Sequence, residues 1–435
     1  MKSKILLIFF VIFICLSNTC YYSAVNSNDR DLKQKFVLAV KMINSRNYRG
    51  ALKHFLELDA QKSTANIQYH IGLCYLNSPE RIDRSMSINY FEKALPNVST
   101  NYAQTFEEIN APIETYYYLA EAYLGEYQAD KSINFLSIYK KLASNDKNSL
   151  IKIENEIQKC NQLKTNFVFS EKSTYQISRI NRQALNTGTN PNDYSKSLLL
   201  LSQNNKLIYT TQNDKIILIT QNNSGKWENP VEIAFEENQS NVKNPNEKVF
   251  LSTYKTQKGD IYLSNFINNK LTTPIKLNEN INTKFDETSA SLSFDGNILY
   301  FSSNRKGGYG GFDIYKAEKL ESGEWGKATN LGPTVNTDKD EITPFILPDG
   351  VTLYFSSKGH SAIGGFDIFV TTQSEEGFWE KSENLGFPIN TVEDDFNYFV
   401  SSNDKFGFYI SSKNNSGLDI YQVDLTAKND NIELK

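Results

Sequence analysis

Three pairs of adjacent carboxylates, Asp286-Glu287, Asp340-Glu341 and Asp394-Asp395, are the residues in this chain best suited to acid–base chemistry. Two carboxylates facing one another could serve as the acid and base of glycosidic-bond hydrolysis, provided that their environments push their pKa values apart. The spacing of the pairs argues against that use. Each recurs about fifty residues after the last inside the same run of neighbours, so the three share one environment and read as turn or strand-bridging groups. Asp313, Asp367 and Asp419 recur in the same way and carry the same structural reading. No catalytic residue is assigned. Ser302-Ser303, Ser356-Ser357 and Ser411-Ser412 recur without a paired histidine, so they form no nucleophile constellation. His54, His70 and His360 are the only histidines and are too dispersed for a metal site. Gly307-Gly308-Tyr309-Gly310-Gly311 and Gly364-Gly365 precede strands rather than a helix, which excludes a phosphate cradle and predicts long hairpin loops. No cofactor is expected.

The elements that hold these residues repeat as well. One unit runs Ile281-Asn282-Thr283, Asp286-Glu287, Asp295-Gly296, Leu299-Tyr300-Phe301-Ser302-Ser303, Gly310-Gly311-Phe312-Asp313-Ile314-Tyr315 and Trp325. The next repeats that order from Val335-Asn336-Thr337 through Asp349-Gly350 and Gly364-Gly365-Phe366-Asp367 to Trp379, and a weaker copy runs from Ile389-Asn390-Thr391 to Tyr421. Alternating apolar and polar residues predict four short strands per unit, and Asp-Gly falls where a tight hairpin needs positive φ. Such units must stack radially to bury both faces, which is a propeller. The strand-opening Asp recurs at Asp214, Asp260, Asp313, Asp367 and Asp419. A second marker couples Tyr175, Trp227, Leu271, Trp325 and Trp379 to Asn186, Asn238, Asn282, Asn336 and Asn390. Both series predict five blades over residues 166–426, followed by a tail at 427–435. Because the second series starts before the first blade, the segment from Tyr175 to Ile180 is expected to supply the outer strand of the last blade and close the ring.

Residues 31–165 follow a helical period. Phe36, Val37, Val40 and Ile43 pair with Ala51, Leu52, Phe55 and Leu56 across a turn at Ser45-Arg46-Asn47, and comparable pairs follow around Tyr69 to Leu95 and Tyr117 to Leu136. Gly72 and Ala120 are the small residues that let neighbouring helices approach. An insertion spans Val98 to Ala111. The fold class predicted is therefore multidomain, α then β: a tetratricopeptide-like helical solenoid followed by a five-bladed β-propeller.

Lys2 and Lys4 precede an apolar run from Ile5 to Leu16, too short to span a bilayer and suited to a signal peptide over residues 1–20. Cys20 stands where a lipoprotein signal places its lipidated cysteine, with ordinary cleavage nearby as the alternative. The chain has 435 residues and is 39% hydrophobic, enough for folded cores. Its mean hydropathy of −0.48 excludes a membrane-embedded body. A net charge of −4 gives no basic field for nucleic acid. Cys74 and Cys160 read as buried free thiols.

Together the two halves resemble the tetratricopeptide plus TolB-like propeller lipoproteins associated with type IX secretion and gliding in Gram-negative bacteria. The run Ala111-Pro112-Ile113-Glu114-Thr115-Tyr116-Tyr117-Tyr118-Leu119-Ala120-Glu121-Ala122-Tyr123 and the repeated Leu-Tyr-Phe-Ser-Ser and Gly-Gly-Phe-Asp-Ile carry the resemblance. It implies an exported protein, either an outer-membrane lipoprotein facing the periplasm or a soluble periplasmic one, whose partners are envelope proteins of secretion or gliding. The family often continues into an OmpA-like domain that this chain lacks, so peptidoglycan binding is not expected. The function read from the sequence is a non-catalytic envelope scaffold that binds proteins. The alternatives are a carbohydrate-binding propeller and a five-bladed propeller glycoside hydrolase. Partner-binding candidates are Arg305, Tyr309, Lys358 and His360, on loops expected to gather on one face and to be freed from the sheets by their glycines.

Overall fold

The computed structural model describes residues 29–77, 81–143, 147–170, 176–180, 202–203, 206–210, 216–222, 226–236, 248–252, 259–401, 404–412 and 418–426. The chain divides into two compact units, with the boundary in sequence between Cys160 and Asn161. Residues 1–20 with Cys20, the markers Tyr175, Asn186, Asp214 and Asn238, and residues 427–435 lie outside the described residues.

The first unit is helical. Its helices are α1 (29–44), α2 (Tyr48–Asp59), α3 (Ala65–Leu76), α4 (Arg81–Ala94), α5 (Glu114–Gly125), α6 (Ala129–Leu142) and α7 (Lys147–Ser170), the last running across the boundary. Asn47 starts α2, its side-chain oxygen accepting the Gly50 N–H at 3.0 Å. Thr64 does the same for α3 through Ile67 N–H. Phe36, Phe55, Ile67 and Ile71 form one core, and Phe36 meets Phe55 edge-on at 5.7 Å. Gly72 is required by close approach, because a Cβ there would sit 2.6 Å from the Phe91 ring. The insertion carries a parallel pair, β1 (Val98–Ser99) and β2 (Ala111–Pro112), and delivers Phe106 into the Phe36 core. Asn66 secures it: Nδ2 donates to the Thr105 and Glu108 carbonyls, and Oδ1 accepts from Tyr102.

The second unit is built of β-sheets arranged as a propeller. A strand β3 (Gln176–Ile180) comes first in sequence. The next sheet holds β4 (Ser202–Gln203), β5 (Lys206–Thr210), β6 (Ile216–Thr220) and β7 (Val231–Ile233). After it come β8 (Phe235–Glu236), β9 (Lys248–Ser252), β10 (Ile261–Ile267), β11 (Lys270–Thr272) and β12 (Ile275–Lys276). Two regular blades follow, β13 (Glu287–Leu292) to β14 (Ile298–Ser303), β15 (Asp313–Glu318) and β16 (Thr329–Asn330), then β17 (Glu341–Ile346) to β18 (Thr352–Ser357), β19 (Asp367–Thr372) and β20 (Glu383–Asn384). The last blade joins β21 (Asp395–Val400), β22 (Phe406–Ser411) and β23 (Asp419–Asp424) to β3. That antiparallel pairing, from Ile180 opposite Ile420 to Gln176 opposite Asp424, is the ring closure expected from the sequence. It gives the last blade an outer strand and removes an exposed edge.

Among the described residues four four-stranded blades are found, where the sequence spacing predicts five. The remaining stretch forms a five-stranded sheet of different order, β12-β10-β11-β8 with β9 also on β10. Its seven-residue strand β10 outruns the blade pattern. It turns back through Asn268 and Asn269, both at positive φ, and so recruits β11 and β8 at its far end.

The first strands of neighbouring blades bond directly. Thr343 N–H, in the bulge of β17 at φ 51°, reaches Ser289 Oγ at 2.9 Å, and Ile346 N–H reaches Ser291 Oγ at 3.2 Å. Trp325 and Trp379 are buried and extend the outer strands through single bridges to Lys319 and Gln373.

Candidate functional site

The loops between second and third strands, and those joining successive blades, gather the residues that the sequence singles out. Each joining loop is built on an Asn-Thr turn. Asn336 Oδ1 accepts the Ile314 N–H at 2.7 Å while its Nδ2 donates to the Ile314 carbonyl at 3.0 Å. Asn282 holds Ile261 and Asn390 holds Ile368 in the same two-bond grip. The amide thus stands in for a strand residue against the third strand of the preceding blade.

The repeated carboxylates complete this turn. Glu341, fully buried, accepts from Thr337 N–H at 2.7 Å, Thr337 Oγ1 at 2.6 Å and Ser357 Oγ at 2.6 Å. Glu287 takes the equivalent three bonds from Thr283 and Ser303, and Asp395 takes two from Thr391. Burial pushes the Glu341 carboxyl up, opposed by its hydroxyl and amide donors. The preceding acids latch blades together: Asp286, Asp340 and Asp394 accept the backbone N–H groups of Gly259, Phe312 and Phe366 on the blade before.

The strand-opening aspartates tie the outer strands. Asp313 accepts from Tyr309 N–H, Gly310 N–H and Asn330 Nδ2, and Asp367 from Ile363 N–H, Gly364 N–H and Asn384 Nδ2. Where the outer strand differs, so does the partner. Lys276 bonds Asp260 at 2.7 Å on β12, and Arg179 pairs with Asp419 on β3, across the ring closure.

The four candidate binders divide under this geometry. Arg305, a candidate for partner binding, has a side chain only 14% exposed that is spent within the ring. Its guanidinium donates to the carbonyls of Ile281 at 2.6 Å and Asn280 at 3.2 Å, reaches Glu287 at 3.3 Å, and rests on Phe301 and Tyr315. His360 does the same work one blade on. Its Nε2 donates to the Val335 carbonyl at 2.8 Å, and the ring packs on Phe355 and Phe369, with burial holding its pKa below the usual value. Lys358 bonds Asp340 at 3.1 Å and covers Phe366, matching the Asn304 bond to Asp286. Tyr309 is 53% exposed, and Lys358 is exposed as well above its ion pair.

The glycines are corrected too. They do not loosen the loops; they permit docking. A Cβ on Gly310 would lie 1.9 Å from the Lys339 carbonyl, and one on Gly364 would lie 2.0 Å from that of Glu393. The adjacent Gly311 and Gly365 N–H groups bond those same carbonyls. Both loops are therefore clamped to the next blade.

Sequence reasoning missed exposed apolar residues at the opposite, hairpin-turn end of the blades: Phe294, Leu320, Val351 and Phe378. Their signal was available, since each sits within two or three residues of a turn glycine. Among the described residues no cluster suits a metal ion, and no helix is long and apolar enough to cross a membrane. Cys74 and Cys160 are buried free thiols.

No family model matches the chain, and no curated protein matches it. Among solved structures it is similar to TolB from Acinetobacter baumannii, at 16% identity and a TM-score of 0.30 over 49% of this chain and 46% of that one. It is similar to an α-L-arabinofuranosidase from Lactobacillus brevis, at 10% identity and a TM-score of 0.35 over 56% and 92%. A third is the PQQ domain of a pyranose dehydrogenase from Coprinopsis cinerea, at 10% identity and 0.32 over 58% and 96%. The match spans less than half the length of the TolB chain. At these scores the architecture rests on the sheets themselves.

Proposed function

We propose that this chain is a non-catalytic scaffold of the cell envelope, exported and held by a lipid at Cys20 on the periplasmic side of the outer membrane. In this reading the helical unit is a tetratricopeptide-type solenoid, and the β8–β12 sheet takes the fifth place in the propeller ring. Its partners are envelope proteins, of secretion or gliding machinery.

One observation carries the reading. The carboxylates that could have formed a catalytic pair accept hydrogen bonds from their own turn, as Glu341 does, or from the preceding blade, as Asp340 does. Groups held this way serve the ring, and three equivalent copies do not supply the unequal acid and base that hydrolysis needs.

The test is capture from envelope fractions with the full chain as bait, alongside assays with aryl glycosides. The expected result is a defined set of envelope proteins and no hydrolysis. Glycoside hydrolysis that disappears in Glu341→Gln, with the fold intact, would replace the scaffold by an enzyme. A wild type left unlabelled by a palmitate analogue, or a Cys20→Ala variant that stays on the membrane, would remove the lipid anchor.

A further inference from the structure

The hairpin-turn end of the propeller differs from the latched end in both shape and charge. In each regular blade the residue after the third strand bonds back to the Asp-Gly turn, Lys319 N–H to Asn297 O and Gln373 N–H to Val351 O, both at 2.8 Å. The last blade repeats this with Leu425 N–H and Lys405 O. All these turns therefore share one end. Phe378 stands 74% exposed there and Phe294 59%. Around the two apolar tips Leu320 and Phe378, turns 320–325 and 374–379 carry Glu321, Glu324, Glu375 and Glu376, with Lys319, Lys327 and Lys381 flanking them.

At the same end a cleft of about 270 Å³ opens between the β17–β20 blade and the last blade. Its walls are apolar, with Leu347, Leu385, Ile389, Val400 and Leu425 around the Tyr354 and Tyr398 rings, whose centroids lie 4.8 Å apart. Among its lining residues a single carboxylate, the exposed Asp404, provides the charge.

An apolar slot with one anion in its lining suits a side chain that is aliphatic along its stem and cationic at its tip. We propose that this end of the propeller binds a basic, leucine-containing segment of a protein partner, with one lysine or arginine stem in the cleft and its cation at Asp404. The tyrosine wall adds a π face for the cation. Exposed Phe378 and Leu320 take apolar neighbours in the segment, and the four glutamates draw its other basic residues. Charge disfavours a second copy docked through this same end, because its glutamates outnumber the flanking lysines.

The proposal rests on the scaffold reading and names its site. The probe is a fluorescein-labelled peptide with a lysine flanked by leucines and further basic residues, titrated into the full chain by anisotropy. The control peptide carries glutamate in place of every basic residue. The expected result is binding of the first peptide only, weakening as salt is raised. Asp404→Asn should weaken it about tenfold and Phe378→Ser several-fold, while Tyr309→Ala at the other end leaves it unchanged. Asn tolerates the positive φ of position 404, so folding is preserved. Equal binding of both peptides, no binding of the basic one, or indifference to Asp404→Asn overturns the proposal. If envelope proteins are still captured but are not displaced by the peptide, the cleft falls and the scaffold stands; if nothing is captured, both fall.

Discussion

The helical unit and the propeller face the same problem, joining one repeat to the next, and solve it with opposite chemistry. Between helices the contact is apolar. Phe55 and Leu58 of α2 pack with Ile67 and Ile71 of α3, and Phe91 of α4 stacks on Tyr118 of α5 at 6.3 Å with their planes 16° apart. Between blades the contact is polar and buried: Asn282, Asn336 and Asn390 replace backbone partners, and Glu287, Glu341 and Asp395 tie the turns that hold them. A closed ring of short strands has many loop N–H and carbonyl groups that its sheets cannot pair. Side-chain amides and carboxylates satisfy them. Repeated polar residues in such a ring are therefore scaffolding, whereas buried polar groups of the helices such as Asn66 and His70 do not recur from one helix pair to the next.

The sharpest break of this comparison is Asn336→Leu. It leaves the Ile314 N–H buried without a partner, leaves the Ile314 carbonyl with the Leu331 N–H alone and removes the bond to Asn330, which together should cost about 3–5 kcal/mol. Hydrogen exchange followed by mass spectrometry should show lost protection throughout the propeller segments and little change in the helical ones. Protection retained in β15 and its neighbours would show that packing, rather than the amide, joins the blades.

His70 tests the other side. It is fully buried, Nδ1 facing the Asn66 carbonyl at 2.8 Å and the ring stacked on Phe55 at 4.9 Å. Burial lowers its pKa from the usual 6.5 to about 4. Because the folded state favours the neutral ring, its stabilisation is complete above the unfolded pKa and is lost as pH falls from about 6.5 toward 4. The loss should be on the order of 3 kcal/mol, read as accelerated exchange in α3 at low pH after correction for intrinsic rates. His70→Leu should flatten that dependence. An unchanged pH profile in the variant would assign the acid sensitivity elsewhere.

A smaller effect separates the two loop residues that sequence reasoning treated alike. Arg305→Met takes the guanidinium from the Asn280 and Ile281 carbonyls and its charge from beside Glu287, and should cost about 2–3 kcal/mol. Tyr309→Ala, at an exposed tip, should stay within about 0.5 kcal/mol. Denaturant unfolding of the two variants measures the difference. Equal costs would mean that Arg305 contributes nothing to the latch.

The repeat, the change from helical to strand period, the hairpin turns and the closure by residues near Ile180 follow from the order of residues alone, because strand and helix periods and turn chemistry are local properties. The structural role of the repeated acids was legible for the same reason, since identical neighbours imply identical surroundings. What the order could not decide was which loop side chains face water. Arg305 and His360 look like recognition residues in sequence, yet the aromatic pairs beneath them, Phe301 with Tyr315 and Phe355 with Phe369, and the carbonyls of Ile281 and Val335 come from strands and turns brought together only by the ring. The glycine runs depended on the same closure, for a 1.9 Å approach to a carbonyl on the next blade exists only once the blades are docked. The extension of β10 past its blade, and the cleft at Asp404, were likewise settled by tertiary structure, since both arise where neighbouring sheets meet or extend past one another and not within any one repeat.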